Sequence, residues 1–455
     1  MITERDIKLA RHCIGHAREA GAEGIRINLS KSVTDSCTMF NGSLDKVSHS
    51  ADSSMYIYLF ADGRYGTFST NRLEEKELED FIDKALVMVR MLGEDRCRQL
   101  PDPSRTAKDA VTGRELDLYD EAYHGRTSDD RLAALRRLSI YADGFEEEGR
   151  WKLISEECEY SESIDDSFTI DSQGFEGRHT ETSFSCFTEM TIVCPDGSKI
   201  SGHWWEASPR LHSLDIDRCS SKALRRASDQ TGPKPRRSGR YRMVVDTCVA
   251  SRLVSPLFAA LNASAIQQKM SFLSDSKGKQ IFPEGMTIMD MGRTVGKPGS
   301  RLFDTEGIAV RDSAIIENGI VKQYFVNTYM ANKTGLEPTV EDVSRPCLLP
   351  YIKGKDLSSE EKELSLNALL RLSGNGILVT GFNGGNCNPA TGDFSFGIEG
   401  FAFRKGKITH PVREMLITGN MISLWQNMTA AGNDARECTR WQIPSLVFEN
   451  VSFAG

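Results

Sequence analysis

The stretch FNGSLDKVSHSADSSMYIYLFADGRYGTFSTN, from Phe40 to Asn71, sets out a glycine turn, an alternating strand run, an Asp-Gly turn and a further strand. It leads into LEEKELEDFIDKAL, a helical pattern ending at Leu86. A second passage, DSQGFEGRHTETSFSCFTEMTIVCPDGSKISGHWWEAS from Asp171 to Ser208, follows the same order and runs into a helix ending SSKAL at Leu224. Gly42 matches Gly174, and Asp62-Gly63 matches Asp196-Gly197. Asp-Gly supplies the positive φ that a two-residue hairpin demands, so both pairs read as hairpin turns. A helix precedes each copy, over residues 4 to 20 and roughly 129 to 145. Duplication of such a unit is a statement about architecture rather than composition. The expected fold class is therefore α+β, with an N-terminal domain over 1–235 made of two helix/antiparallel-strand repeats, about 1–100 and 128–230.

Beyond that domain the texture changes. Residues 241–455 carry short β-type runs such as YRMVVD, GILVTGF and GFAFRKGKITHPV, broken by Asn318-Gly319 and Lys405-Gly406 turns. A second domain, 240–455, is expected to be mainly antiparallel β with a few helices. One helix is read in CVASRLVSPLFAALNASAIQQ and another between a capping box at Ser358 and Glu361 and a stop near Gly374. Two domains also suit the length of 455 residues, since one core rarely organises more than about 300. Between them, RCSSKALRRASDQTGPKPRRSGRYR, Arg218 to Arg242, crowds basic residues around Gly232, Pro233 and Pro235 and reads as a solvated linker.

Composition narrows the function classes. A net charge of -8 works against sequence-independent DNA binding, which needs Lys and Arg to neutralise phosphates, so direct nucleic-acid binding is not expected. Eleven scattered cysteines with no CxxC pair indicate neither a disulfide framework nor a zinc ribbon and fit a reducing cytoplasm. The first residues form an amphipathic helix with Thr3 and Asp6 as a capping box, not a leader peptide. No apolar run approaches the roughly 18 residues of a membrane span.

Catalytic signatures are absent as strings. Of eight histidines only His12 and His16 share a helical face, with Cys13 between them and no carboxylate base nearby in sequence, so they read as a helix surface. Ser395 in GDFSFG lacks the first glycine of a nucleophile elbow. No phosphate-binding glycine loop is present. Cys387 lies in a polar, glycine-rich loop, but a nucleophilic thiol needs a histidine that sequence cannot place.

Four stretches, in order, carry a resemblance: Phe40 to Asn71, SFLSDSKGKQIF (Ser271 to Phe282), FDTEGIAVRDSAIIENGIVKQYFVNTYMANKTG (Phe303 to Gly335), and GGNCNPATGDFSFGIEGF (Gly384 to Phe401) with its continuation ITHPVREMLITGNM. Together they resemble the TldD/PmbA family, and within it the PmbA (TldE) branch long labelled a modulator of DNA gyrase. The resemblance implies a heterodimeric zinc protease enclosing a chamber for unfolded peptides. Its TldD subunit carries zinc on H-E-x-x-x-H and a late cysteine, and the PmbA-type chain is its partner.

Aligned on that motif, this chain reads AALNAS, with Ala259 and Ser264 at the ligand positions and Ala260 at the base position. Cys438 lies in the segment of the third ligand. The resemblance thus implies no metal or catalytic residue in this chain, zinc in a TldD-type partner, and a heterodimer, with a homodimer possible when the chain is alone. Asn386, Asn388, Asp393 and Phe394 are expected in a loop that shapes the chamber or touches peptide. Two alternatives stand beside this: a binding protein that modulates gyrase, and an independent hydrolase using Cys387 or Asp393.

Overall fold

A computed structural model of the chain describes residues 1–355 and 363–455. The helix α1 (Glu4–Glu19) starts at a capping box in which Thr3 Oγ1 accepts from Asp6 N and the Asp6 carboxylate accepts from Thr3 N. It leads into β1 (Gly24–Phe40), β2 (Ser43–Ala61), β3 (Arg64–Thr70) and α2 (Glu75–Arg90). The unit then recurs as α3 (Ser128–Leu138), the two-residue β4 (Glu146–Glu147), β5 (Trp151–Asp171), β6 (Glu176–Val193), β7 (Lys199–Ser208) and α4 (Cys219–Ser228). The long strands form one sheet in the order β3-β2-β1-β5-β6-β7, so the two copies meet where β1 pairs antiparallel with β5.

Period-2 patterning fixes the buried face. Ile25, Ile27 and Leu29 of β1 pack beneath α1 and α2, while Cys37 and Met39 of the same strand pack with Leu135 and Leu138 of α3. Both helix pairs therefore cover one side of the sheet. The other side presents Asn28, Ser30, Ser167 and Thr169 toward the C-terminal half.

Three local expectations need correction. The helix expected over 129–145 stops at Leu138, because the backbone N–H of Ile140 donates to the buried Glu156 carboxylate at 2.8 Å. Asp62-Gly63 is a two-residue turn with both φ positive, but at the second turn only Gly197 is left-handed. There Pro195 fixes its own φ, and the loop closes by Gly197 N donating to Cys194 O at 2.9 Å. Finally, half of the basic stretch from Arg218 is not linker. Cys219, Ala223 and Ala227 recur at helical spacing and are buried, which makes it the amphipathic α4; the connection proper is 229–238.

The second half begins with β8 (Gly239–Val245), α5 (Thr247–Ala260) and α6 (Ala263–Gln267). A four-stranded sheet follows, ordered β11-β10-β9-β12, from β9 (Ile288–Asp290), β10 (Ser313–Glu317), β11 (Ile320–Val321) and β12 (Pro346–Leu348). Within it lies α7 (Thr328–Thr334). After β13 (Tyr351–Ile352) and α8 (Leu366–Ser373) come β14 (Gly376–Cys387), β15 (Asp393–Arg404), β16 (Lys407–Asn420), α9 (Met421–Gln426), β17 (Met428–Ala431) and β18 (Leu446–Ala454). The expected capping box at Ser358 and Glu361 lies outside the described residues.

These strands form a second large sheet in which β8 pairs parallel with β14 and antiparallel with β18, closing the ring β8-β14-β15-β16-β18. Closure removes edges that would otherwise recruit other chains. Its core is apolar and includes Trp425, Phe396 and Phe448, all buried. Among the described residues no helix is long and apolar enough to cross a membrane.

Residues 105–118 tie the halves together. Arg178, Thr180 and Thr182 on the free end of β6 donate to the carbonyls of Ala110, Gly113 and Leu118, while Ala107 N donates to Gly307 O. Ala107, Leu116 and Leu118 share a small core with Phe175, Leu302 and Phe303.

Candidate functional site

The segment aligned with the zinc motif is the joint between α5 and α6. Asp246 caps α5 by accepting from Cys248 N at 2.8 Å, and Leu253, Val254, Leu257 and Phe258 anchor the helix in the core. The helix ends at Ala260 with Leu261 as its C-cap, and Asn262 starts α6 by accepting from Ser264 N at 2.9 Å. Ala259 is exposed, Ala260 is buried with its carbonyl accepting from Ser271 Oγ at 2.6 Å, and Ser264 is half-buried. Phe258 stacks on Trp441, with ring centroids 5.9 Å apart.

These residues do not fit zinc. Tetrahedral zinc takes imidazole, thiolate or carboxylate ligands, and no histidine occurs between His212 and His410. Cys438 lines a separate cleft with Trp204, Glu206 and Arg436, and burial pushes its thiol up. Among the described residues, three metal-type donors converge only at His12, Glu75 and Glu79, on α1 and α2. The sequence reading missed these carboxylates because they come from the next helix: His12 Nε2 lies 2.8 Å from Glu79 and His16 Nε2 2.9 Å from Asp83. Cys13 between them is buried, and its thiol is pushed up to about 12.

The Gly384–Phe401 stretch holds the end of β14, the connection 388–392 and most of β15. Asn388 organises it, its side-chain oxygen accepting from Ala390 N at 2.9 Å and its backbone N–H donating to Asp393 O at 2.7 Å. Hydrogen bonds from Asn420 and Thr391 hold the exposed Asp393 carboxyl below its ordinary range. Asn386, Asn388 and Asp393 face solvent, whereas Phe394 is 5% exposed and stacks on Phe396 within the core. Burial, then Asp393, raises the Cys387 thiol, away from an activated thiolate.

A cleft of about 370 Å³ separates the polar face of the first sheet from the C-terminal half. Asn28, Thr169 and His179 form one wall; Arg301, Asp304 and Arg440 form the other. Asp304 is 2% exposed and accepts from the backbone N–H groups of Glu306, Ile308 and Glu341 at 3.0, 2.9 and 3.1 Å. Burial, with Glu341 and Glu306 nearby, pushes its carboxyl up to about 7. The motif beginning at Phe303 marked one side of this cleft. The rest had no signal, because its residues are far apart in the chain and none belongs to a catalytic string.

Known proteins share this sequence pattern and fold. Residues 26–89 match the family model described as PmbA/TldA metallopeptidase domain 1, and residues 238–455 match the PmbA/TldA metallopeptidase C-terminal domain. A Bacteroides thetaiotaomicron crystal structure described as a candidate modulator of DNA gyrase is 38% identical, covers 100% of both chains and superposes with a TM-score of 0.92. Metalloprotease PmbA of Escherichia coli O157:H7 is 25% identical over 99% of this chain and 97% of its own. TldE from Thermococcus kodakarensis shares the fold at 18% identity and a TM-score of 0.77, covering 98% of this chain and 100% of its own. The chain belongs to the PmbA/TldD family.

Proposed function

We propose that this chain is the non-catalytic, PmbA/TldE-type subunit of a two-chain zinc peptidase acting on unfolded peptides. The observation that supports the reading is the α5–α6 joint, where the positions aligned with the motif hold Ala259, Ala260 and Ser264 and no histidine occurs between His212 and His410. A methyl group neither binds a metal nor accepts a proton. The zinc and its general base then belong to a TldD-type partner, and this chain contributes walls of the chamber.

Its own surfaces suit that role. The exposed Asn386, Asn388 and Asp393 edge the β14–β15 connection, where an extended peptide meets hydrogen-bonding groups without strong sequence preference. Cytoplasmic residence follows from the reduced cysteines in the same reading.

Co-expression with an H-E-x-x-x-H homologue tests the partnership. The two chains should co-purify as a stoichiometric complex. Separate elution at every protein concentration, with this chain forming only self-assemblies, would refute it.

A further inference from the structure

We propose that the cleft between the first sheet and the C-terminal half binds the C-terminal carboxylate of an extended peptide, with Arg301 and Arg440 holding the carboxylate and Asn28 Oδ1 accepting the adjacent peptide N–H. Both guanidiniums are tethered to one strip of backbone. Arg301 donates through Nε to Ser344 Oγ and through Nη2 to Asp342 O, each at 2.8 Å. Arg440 donates through Nη1 to Val343 O at 3.1 Å, with Ser344 O at 3.5 Å. Nη1 of Arg301 and Nη2 of Arg440 have no hydrogen bond among the described residues.

Neither arginine has an ion-pair partner among the described residues, whereas Arg210 and Arg436 in the neighbouring cleft pair with Asp117 and Glu206. The charge of Arg301 favours the Asp290 carboxylate, whose oxygens already accept from Ser344 N and Arg345 N at 3.0 and 2.7 Å. Two cations tied to one strip, lining one cleft and outside any ion pair among the described residues, favour a bound anion, and guanidiniums match the fork of a carboxylate.

The facing wall supplies the second half of the recognition. Asn28 donates to Thr305 O at 3.4 Å, but its Oδ1 is buried and accepts nothing. A peptide N–H beside the terminal carboxylate satisfies that acceptor, which an anion without a donor, such as acetate, cannot do. Tyr56 and Phe303 line the space between and suit an apolar terminal side chain. Glu181, also on the wall, disfavours a multiply charged ligand such as phosphate over a singly charged carboxylate. The proposal rests on the peptide-chamber reading only for the class of ligand.

The test is fluorescence anisotropy with the full chain alone and a fluorescein-labelled, unstructured decapeptide ending in leucine, prepared as free acid and as C-terminal amide. The free acid should bind about ten-fold more tightly, and Arg440→Gln should abolish the difference while leaving the weaker amide binding in place. Equal affinities, no binding of the free acid up to about 1 mM, or displacement by inorganic phosphate as effective as by acetylated leucine would overturn it. If Arg440→Gln fails to fold, the wild-type acid-against-amide comparison still decides. Because no partner is present, failure here leaves the partner-subunit reading intact, and failure to form the two-chain complex leaves this site intact.

Discussion

Asp304 shows how one carboxyl serves both fold and cleft. Its two oxygens gather three backbone N–H groups and hold the Phe303–Ala309 loop, in which Gly307 sits at φ +85°. Its folded carboxyl keeps a proton up to about 7, while the unfolded chain releases it near the ordinary value of about 4. The folded state therefore binds more protons between those values, and this group costs stability as pH rises through that window. Asp304→Asn cannot titrate and loses one acceptor, so it starts less stable than wild type at pH 5. Urea unfolding should show the gap narrowing toward pH 8; a gap that widens with pH contradicts the assignment.

At the scale of elements, the duplicated unit explains why so much of the first domain was legible. Asn41-Gly42, Asp62-Gly63, Asn318-Gly319 and Lys405-Gly406 all adopt positive φ at both residues, as a hairpin of this length requires. Strand alternation then marked the buried face. The strap 105–118 was not legible, because its backbone partners lie on β6 and on the Leu302–Ala309 segment and it has no period of its own. Helix α4 was expected to end at Leu224, and its last turn was read as linker because of its arginines, although its small residues recur every fourth position through Ala227.

Those small residues matter because α4 lies against Gly202 of β7. A Cβ there would sit 2.3 Å from Ala227 N and 2.6 Å from Ala223 O. Gly202→Ala should lower stability by about 1–3 kcal/mol, since backbone rather than a flexible side chain must yield. Gly15 in α1 is the contrast, exposed and with no heavy atom within 4 Å of an added Cβ. Gly15→Ala should raise stability by about 0.5–1 kcal/mol through the lower helix propensity of glycine. Chemical denaturation of both variants checks the pair; similar shifts would refute the close packing of α4.

At the scale of the whole molecule, the halves are held by the strap and by a clamp around Arg436. Its guanidinium lies over Trp204 and Trp205 at 4.2 and 4.5 Å, donates to the Trp205 carbonyl, and faces Glu206 at 3.4 Å. Lys222 joins from α4, 3.1 Å from Glu206. Partly desolvated cation–π contacts of this kind are worth about 1–2 kcal/mol. Arg436→Ala should speed limited proteolysis in the 229–238 connection relative to wild type; an unchanged cleavage rate there means the clamp does not join the halves.

The site was far less legible than the fold. The alignment of AALNAS came from the resemblance, and the structure adds that the joint is a packed, capped helix end. The carboxylates beside His12 and the arginines of the interdomain cleft come from distant segments, which no local pattern announces.

The central claim is that this chain holds no catalytic zinc and works through a partner. Peptide hydrolysis measured together with zinc content tests it most directly, on the chain alone and after mixing with an H-E-x-x-x-H homologue. The account predicts no hydrolysis by the chain alone and hydrolysis by the mixture, lost when the partner's motif glutamate is replaced by glutamine. Hydrolysis by the chain alone, with stoichiometric zinc that persists in His12→Ala, would contradict it.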